Sequence, residues 1–277
     1  MNRILFEKGE IADGVATFGG ERAEHVMKIL HGEVGQTLKT GEINGLIGTS
    51  VITNISCLPS SVSSPLITVS CSHTEKSISP WIDLILAPPR PRVMKRLLPQ
   101  LAAMGVGRIF LVGAKKVEKD FWGATLLRPE NYRPLLIDGL MQAGTSMLPT
   151  LETRRNFRKF IKEELDTLFG DVPRIVAHPY GAEKDIVSGL KSNVLSSLPS
   201  KDIVSGLKSN VLSSLPSNVS RPCLLLAIGP EGGWTDDEVA LLEEHGFARY
   251  SLGSRILRTD TATIALLAQL MKEFDQC

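Results

Sequence analysis

At 277 residues and 43% hydrophobic content, the chain is long enough for one large or two small domains with a sizeable core. A net charge of +1 argues against indiscriminate polyanion binding and leaves room for local basic patches. The 4 scattered cysteines (Cys57, Cys71, Cys223, Cys277) form no CxxC pair and predict reduced thiols and no metal site. No apolar run is long enough to span a membrane. The segment Met1–Glu7 reads as neither a secretory signal nor a transit peptide, so a soluble, cytoplasmic protein is expected.

Residues 1 to about 56 read as β-rich. Strands over 33–40 and 46–52 flank Gly41-Glu42-Ile43-Asn44-Gly45, a hairpin-like connection. One helix is predicted from Glu21 to Leu30, with Val26, Ile29 and Leu30 on one face. The Ser/Pro stretch 58–65 makes a loop, and Leu66 to Cys71 a last strand. Small barrels of this kind often grip RNA.

After a linker at 75–80 the pattern alternates between strand and helix. Strands are expected at Ile82–Ala87 and Arg108–Val112, around a helix from Arg92 to Met104 that buries Val93, Met94, Leu97, Leu98 and Leu101. Pro99 is expected to kink that helix. Pro134 can open a helix through Ile137, Leu140 and Met141. A basic helix containing Arg154, Arg155, Arg158 and Lys159 then precedes a strand at Arg174–His178. The βαβ rhythm implies a mainly parallel sheet with ligands at the carboxyl ends of its strands. Residues 184–200 recur without change at 201–217, and each copy spells a short amphipathic helix ended by proline. Two copies are too few for a solenoid. One copy is expected to pack on the sheet, and deletion of 201–217 to leave folding and activity intact.

The last segment carries the chemistry. Leu224 to Ile228 reads as a buried strand that stops at Gly229-Pro230-Glu231-Gly232-Gly233, a turn able to bare its amides to a ligand. Thr235 and Glu238 form a capping box for a helix running to about His245, with Gly246 as its stop. A short strand, Ala248 to Leu252, then opens into Gly253 and a loop with Arg255 and Arg258. Thr259 or Asp260 caps the final helix. Neither G-x-G-x-x-G nor the Walker pattern is present. A Gly-Pro-x-Gly-Gly turn alone is most often only a turn.

The pair of segments is more specific. A GPEGG loop followed by Leu252-Gly253-Ser254-Arg255-Ile256-Leu257-Arg258-Thr259-Asp260-Thr261-Ala262 closely resembles the signature of the RsmE family, 16S ribosomal RNA uridine N3-methyltransferases of the SPOUT class. That family's pattern is GPEGG, then LG-x-RILR-T-E-T-A, so Asp260 stands where Glu is usual. His25-Val26-Met27-Lys28-Ile29-Leu30-His31 resembles the family's H-x-x-x-V-L-R motif, with His31 in place of its terminal Arg. Gln142-Ala143-Gly144, followed by Leu148-Pro149, resembles Q-S-G-R-x-x-V-P with Thr145 in place of Arg. Where the family has K-x-x-E-L-G, this chain has Gln100, Ala103, Met104 and Gly105. It looks like a divergent branch.

The resemblance implies an α/β fold: a SPOUT-type, trefoil-knotted, mainly parallel sheet at 80–277, preceded by a PUA-like RNA-binding β-barrel at 1–75. It implies S-adenosylmethionine as cofactor, ribosomal RNA of the small subunit as partner, and a homodimer. The methyl donor would lie on loops beginning at His178, Gly229 and Leu252. Backbone groups near Ile228, Leu252, Ile256 and Leu257 would hold adenine, and glycine at 229, 232 and 253 would leave room for the ligand. Arg258 is the leading candidate to stabilise the anion that develops on the uridine. Arg255 would contact a phosphate or the donor's carboxylate, and Glu231 would accept a proton or orient backbone amides. His25, His31, Arg92, Lys115 and Lys116 are candidate RNA contacts, although ordinary surface histidines and solvated charge runs account for them as well. Two other readings share these residues: methylation of another RNA position, and a non-catalytic RNA-binding assembly factor.

Overall fold

The computed structural model describes residues 3–57, 65–180 and 223–274. The duplicated segment 184–217 and residues 58–64 of the Ser/Pro stretch lie outside the described residues. The chain divides into two compact units, Met1–Ile78 with Pro134–Leu148, and Ser79–Arg133 with Pro149–Cys277.

The first unit is built on a 6-stranded sheet. Its strands are β1 (Ile4–Phe6), β2 (Ile11–Ala12), β3 (Val15–Phe18), β4 (Thr37–Glu42), β5 (Ile47–Cys57) and β6 (Pro65–Glu75), in the order β1-β4-β5-β6-β3-β2. β1 runs parallel to β4, and the other pairs are antiparallel. Asp13 (φ 50°) and Gly14 (φ 76°) join β2 to β3, the paired positive angles that a two-residue hairpin turn of matching twist requires. Phe6, Phe18, Val26, Ile52, Ile67 and Val69 close the core from alternate strand positions and from α1 (Gly20–Lys28).

Here the helix differs from its sequence reading. It stops at Lys28, Gly32 N–H returns to the Val26 carbonyl, and His31 takes a left-handed φ of 50°. The chain therefore leaves the helix before Ile29 and Leu30 can turn inward, and both are exposed while Ala23 and Val26 are buried. Residues 134–148 belong to this unit through specific bonds. Arg3 N–H donates to the Met141 carbonyl, Ser146 Oγ to the Gly45 carbonyl, and Leu148 N–H to Asn44 Oδ1.

The second unit carries another 6-stranded sheet, and all its pairings are parallel. Its strands are β7 (Ile82–Leu86), β8 (Val106–Val112), β9 (Thr150–Arg154), β10 (Arg174–Ala177), β11 (Leu224–Ile228) and β12 (Phe247–Tyr250), in the order β12-β10-β11-β7-β8-β9. β11 and β7 are buried at every position, as expected of central strands with both faces covered. Helix α2 (Pro91–Ala103) buries the five residues its periodicity predicts, and Pro99 lies inside it.

Two elements correct the sequence reading. Helix α3 (Pro129–Ala143) starts at Pro129, a proline in the first turn that gives up no internal bond, and Pro134 follows within the helix. Arg154 is the last residue of β9 rather than part of a helix, because Thr150-Leu151-Glu152-Thr153 extends along β8 in register. Helix α4 follows as Phe157–Lys159, a π turn Phe160–Glu164 and Leu165–Phe169. Its Phe157, Phe160, Ile161, Leu165 and Phe169 join Phe110, Leu225, Trp234 and Phe247 in the core. Helices α5 (Asp236–Glu244) and α6 (Thr259–Phe274) complete the unit. Among the described residues no helix is long and apolar enough to cross a membrane.

Candidate active site

A wholly parallel sheet gathers the carboxyl ends of its strands on one edge, and that edge positions the signature. β10 ends into His178, β11 into Gly229–Gly233 and β12 into Ser251–Arg258, and in the strand order these are three neighbours. Two of the loops clasp each other. His178 N–H donates to the Tyr250 carbonyl at 2.9 Å, and Ser251 Oγ reaches the Pro179 carbonyl at 3.4 Å. His178 is further held through Nδ1, 2.7 Å from the Tyr180 carbonyl oxygen.

The Gly229–Gly233 loop is pinned from several sides. Ala87 N–H bonds the Ile228 carbonyl at 2.9 Å, and Gly233 N–H bonds the Pro230 carbonyl at 2.8 Å. Lys116, from the loop after β8, donates from Nζ to the Gly232 carbonyl at 2.8 Å. Glu231 pairs with Arg90, the residue that opens α2, at 3.3 Å. The capping box of α5 is present, and its Glu238 does more than cap. Oε2 accepts from the Thr235 N–H at 2.9 Å and the Thr235 hydroxyl at 3.0 Å, while Oε1 accepts from the Lys115 N–H at 2.7 Å. One buried carboxylate therefore ties the loop after β8 to the loop after β11.

The third loop is open to solvent. Gly253, Ser254, Arg255 and Arg258 are exposed, Ile256 is 77% exposed and Leu257 38%. Among the described residues the backbone N–H groups of Gly232, Leu252, Ile256 and Leu257 make no hydrogen bond. The first helical bond of α6 runs from Ala262 N–H to the Arg258 carbonyl at 2.8 Å, so Arg258 stands at the mouth of that helix. Asp260 pairs with Arg96 at 3.2 Å.

Residues 76–271 match the RNA methyltransferase domain family. The chain belongs to this family. A Treponema pallidum protein named Ribosomal RNA small subunit methyltransferase E is 29% identical over 98% of this chain and 91% of its own length. A Borreliella burgdorferi protein, Ribosomal RNA small subunit methyltransferase E 1, is 24% identical over 96% and 95% of the two chains. The solved Ribosomal RNA small subunit methyltransferase E of Neisseria gonorrhoeae, bound to S-adenosyl methionine, shares the fold with a TM-score of 0.66. Its identity is 19%, over 99% of this chain and 98% of that one. A Legionella pneumophila structure with bound SAM gives a TM-score of 0.67 at 21% identity, over 98% and 97%.

Within this methyltransferase domain, the expected donor residues His178, Ile228, Gly229, Glu231, Gly232, Leu252, Gly253, Ile256 and Leu257 stand on three adjacent strand ends. Arg255 and Arg258 stand on the third loop. Arg92, Lys115 and Lys116 are exposed on loops or helix starts at the same edge of the sheet. His25 and His31 belong to the first unit. His25 Nε2 is buried and lacks a partner among the described residues, and burial holds its pKa below the usual histidine value.

Two of the three signature glycines have a packing reason within the chain itself. A Cβ on Gly229 would stand 3.1 Å from the Trp234 indole, and one on Gly232 would stand 3.0 Å from Lys116 Cδ. Each therefore lies against a side chain of its own chain. Gly253 meets nothing within 4 Å, and its φ of 129° is the reason for glycine there. Trp234, buried and 5.2 Å from Phe157 ring to ring, was not singled out from sequence, nor was the reach of Glu238 to Lys115.

Proposed function

We propose that this chain transfers a methyl group from S-adenosylmethionine to N3 of a uridine in small-subunit ribosomal RNA. The observation that carries the reading is the placement of the Gly229–Gly233 and Leu252–Arg258 loops at the carboxyl ends of β11 and β12, the two parallel strands that flank β10. The third loop itself carries the Leu252, Ile256 and Leu257 N–H groups, unbonded among the described residues, and the exposed side chains of Ile256 and Leu257.

The residues fit the cofactor. Adenine needs apolar contact and backbone hydrogen bonds, and Leu252, Ile256 and Leu257 offer both. Gly253 adds a stretch without side chain. His178 and Ile228 border the same loops, with Gly229 and Gly232 setting the turn between them. When bound, S-adenosylmethionine supplies an electrophilic methyl on a sulfonium. The chain's own work is to present N3 of the uridine in line and to stabilise the imide anion left when its proton departs. Arg258 carries the positive charge for O2 or O4 of that anion. Arg255 meets a phosphate or the donor's carboxylate. Glu231, paired with Arg90, orients the turn, and its other oxygen is the candidate to receive the proton.

His25 and His31 in the first unit, and Arg92, Lys115 and Lys116 in the second, are assigned to RNA binding. The working form is a cytoplasmic homodimer, with residues 1–75 as the RNA-binding barrel and 80–277 as the knotted catalytic domain, except that residues 134–148 group with the first unit. The test is transfer of labelled methyl to small ribosomal subunits that lack the modification, with digestion to nucleosides. Label in N3-methyluridine, reduced on the order of a hundred-fold in kcat by Arg258→Ala, is the expected result. Label in another nucleoside moves the target, and failure to bind the donor rejects the reading.

A further inference from the structure

Beyond the three signature loops, the same edge of the parallel sheet carries an aromatic platform under a cation. Arg155 leaves the end of β9, and its guanidinium lies 5.7 Å from the Trp122 ring centroid. Trp122 sits in the short helical turn Lys119–Gly123, and its carbonyl oxygen lies 3.5 Å from Arg155 Nη2. Neighbouring Arg154 is committed to Glu152 and Glu164, and Arg158 to Asp237. Arg155 has no carboxylate partner among the described residues.

The platform is fixed to the donor loops by a chain of contacts. Gly113 N–H bonds the Arg154 carbonyl at 3.1 Å, and a Cβ on Gly113 would fall 1.9 Å from the Arg155 carbonyl oxygen. Only glycine lets the loop after β8 lie against the end of β9 this closely. Two residues on, Lys115 is held by Glu238, and Lys116 donates to Gly232. From the donor turn outward the surface therefore reads Gly232, Lys116, Lys115, then Arg155 and Trp122.

We infer that Trp122 and Arg155 form a nucleotide-binding subsite for the RNA substrate, which stacks an unpaired base flanking the target uridine and contacts its phosphate. This rests on the proposed RNA methyl transfer and names part of its substrate surface. An indole partly exposed beside an uncommitted guanidinium suits a single-stranded nucleotide, because stacking tolerates any base and the cation meets the backbone. The lysines that follow Gly113 continue the positive track toward the donor turn. Glu118 and Asp120 interrupt it, so the subsite works by stacking plus one phosphate contact rather than as a broad basic face.

The experiment measures RNA binding and methyl transfer separately on the full chain, with a small-subunit RNA fragment bearing an unpaired uridine. Trp122→Ala is expected to raise KM and Kd for RNA on the order of ten-fold. Its kcat and its affinity for S-adenosylmethionine stay at the starting values, and Trp122→Phe recovers most of the loss. Arg155→Ala is expected to lower the magnitude of the salt slope of RNA binding by about 0.7, the value of one single-strand phosphate contact. Wild-type RNA binding in both variants, with methyl transfer intact in the parent, overturns the subsite. Absence of transfer in the parent overturns the enzymatic reading, and the binding series still decides the platform.

Discussion

Glu238 offers a sharp test of how the donor turn is held. It is 4% exposed, and its two oxygens accept three hydrogen bonds, two of them from the backbone N–H groups of Lys115 and Thr235. Glu238→Ala removes the acceptor for both. Each hydrogen bond to a charged acceptor contributes about 1.5–3 kcal/mol, and the carboxylate adds about 0.3–1 kcal/mol at a helix N-terminus. The variant is expected to lose about 3–7 kcal/mol, a large share of a domain stability of about 5–15 kcal/mol. Glu238→Gln separates the two roles. Glutamine can still serve in a capping box, but it has one acceptor oxygen where the carboxylate has two. Whichever backbone donor takes that oxygen, the other faces an NH₂ group, so a loss of about 1–3 kcal/mol is expected. All three tryptophans, Trp81, Trp122 and Trp234, fall in the second unit, so urea unfolding followed by indole fluorescence reports on it directly. Equal losses in the two variants, or a loss below about 0.5 kcal/mol in Glu238→Ala, would refute the claim that this carboxylate ties the two loops.

Further outcomes follow from single residues. Gly253→Ala, which puts a side chain at φ 129°, is expected to weaken S-adenosylmethionine binding in a calorimetric titration while costing only about 1–3 kcal/mol of stability. An unchanged affinity would detach that angle from the ligand. Gly229→Ala must displace the Trp234 indole, and should shift tryptophan emission as well as affinity. Burial lowers the pKa of His73, whose Nε2 lies 2.7 Å from the buried Thr40 hydroxyl. The unfolded chain then takes up the proton first, so this contribution to stability is complete above the ordinary value of 6.5 and declines as pH falls below it. In His73→Gln the decline between pH 7 and 5 should be smaller but present, since His25 is lowered in the same direction. Glu10 acts in the same direction at lower pH. Its hydrogen bond to Arg22 lowers its pKa below 4.5, so that contribution is lost only as pH falls through the acid range, and Glu10→Gln should flatten the acid limb of the curve.

Much of the second unit was legible because its signals are local. The apolar run Leu224–Ile228, the capping pair Thr235 and Glu238 and the helical face of α2 each specify an element without reference to distant chain. The errors lie where a neighbour decides. Thr150–Arg154 lacks a strong alternation of its own and is a strand because β8 offers it an edge. Ile29 and Leu30 continue the α1 pattern in sequence, yet His31 and Gly32 turn the chain before they reach the core. The same distinction governs the site. The signature marks two loops at the carboxyl edge of the sheet, but the bond from Lys115 to Glu238 spans 123 positions and leaves no local trace.

The glycines show what a motif records. Gly229 and Gly232 are expected to leave space for a ligand, and each also lies against a side chain of its own chain, Trp234 and Lys116. A Cβ at either position would push on a side chain that holds the turn, so the motif first specifies a tightly packed loop. Gly113 has the same character outside the signature, since no residue with a Cβ could lie against the Arg155 carbonyl. Packing of this density is what lets exposed groups act. Arg258 stands at the mouth of α6, its carbonyl bonded to Ala262 N–H, and Arg155 follows Arg154, whose carbonyl is bonded to Gly113 N–H. An arginine on such a base can meet a phosphate or a developing anion with less loss of freedom than one on a free loop. A glycine substitution beneath the edge should therefore reduce methyl transfer more than its effect on overall stability would suggest. Gly113→Ala tests this directly. Transfer that falls only in proportion to the unfolded fraction would show that the loops need no such base.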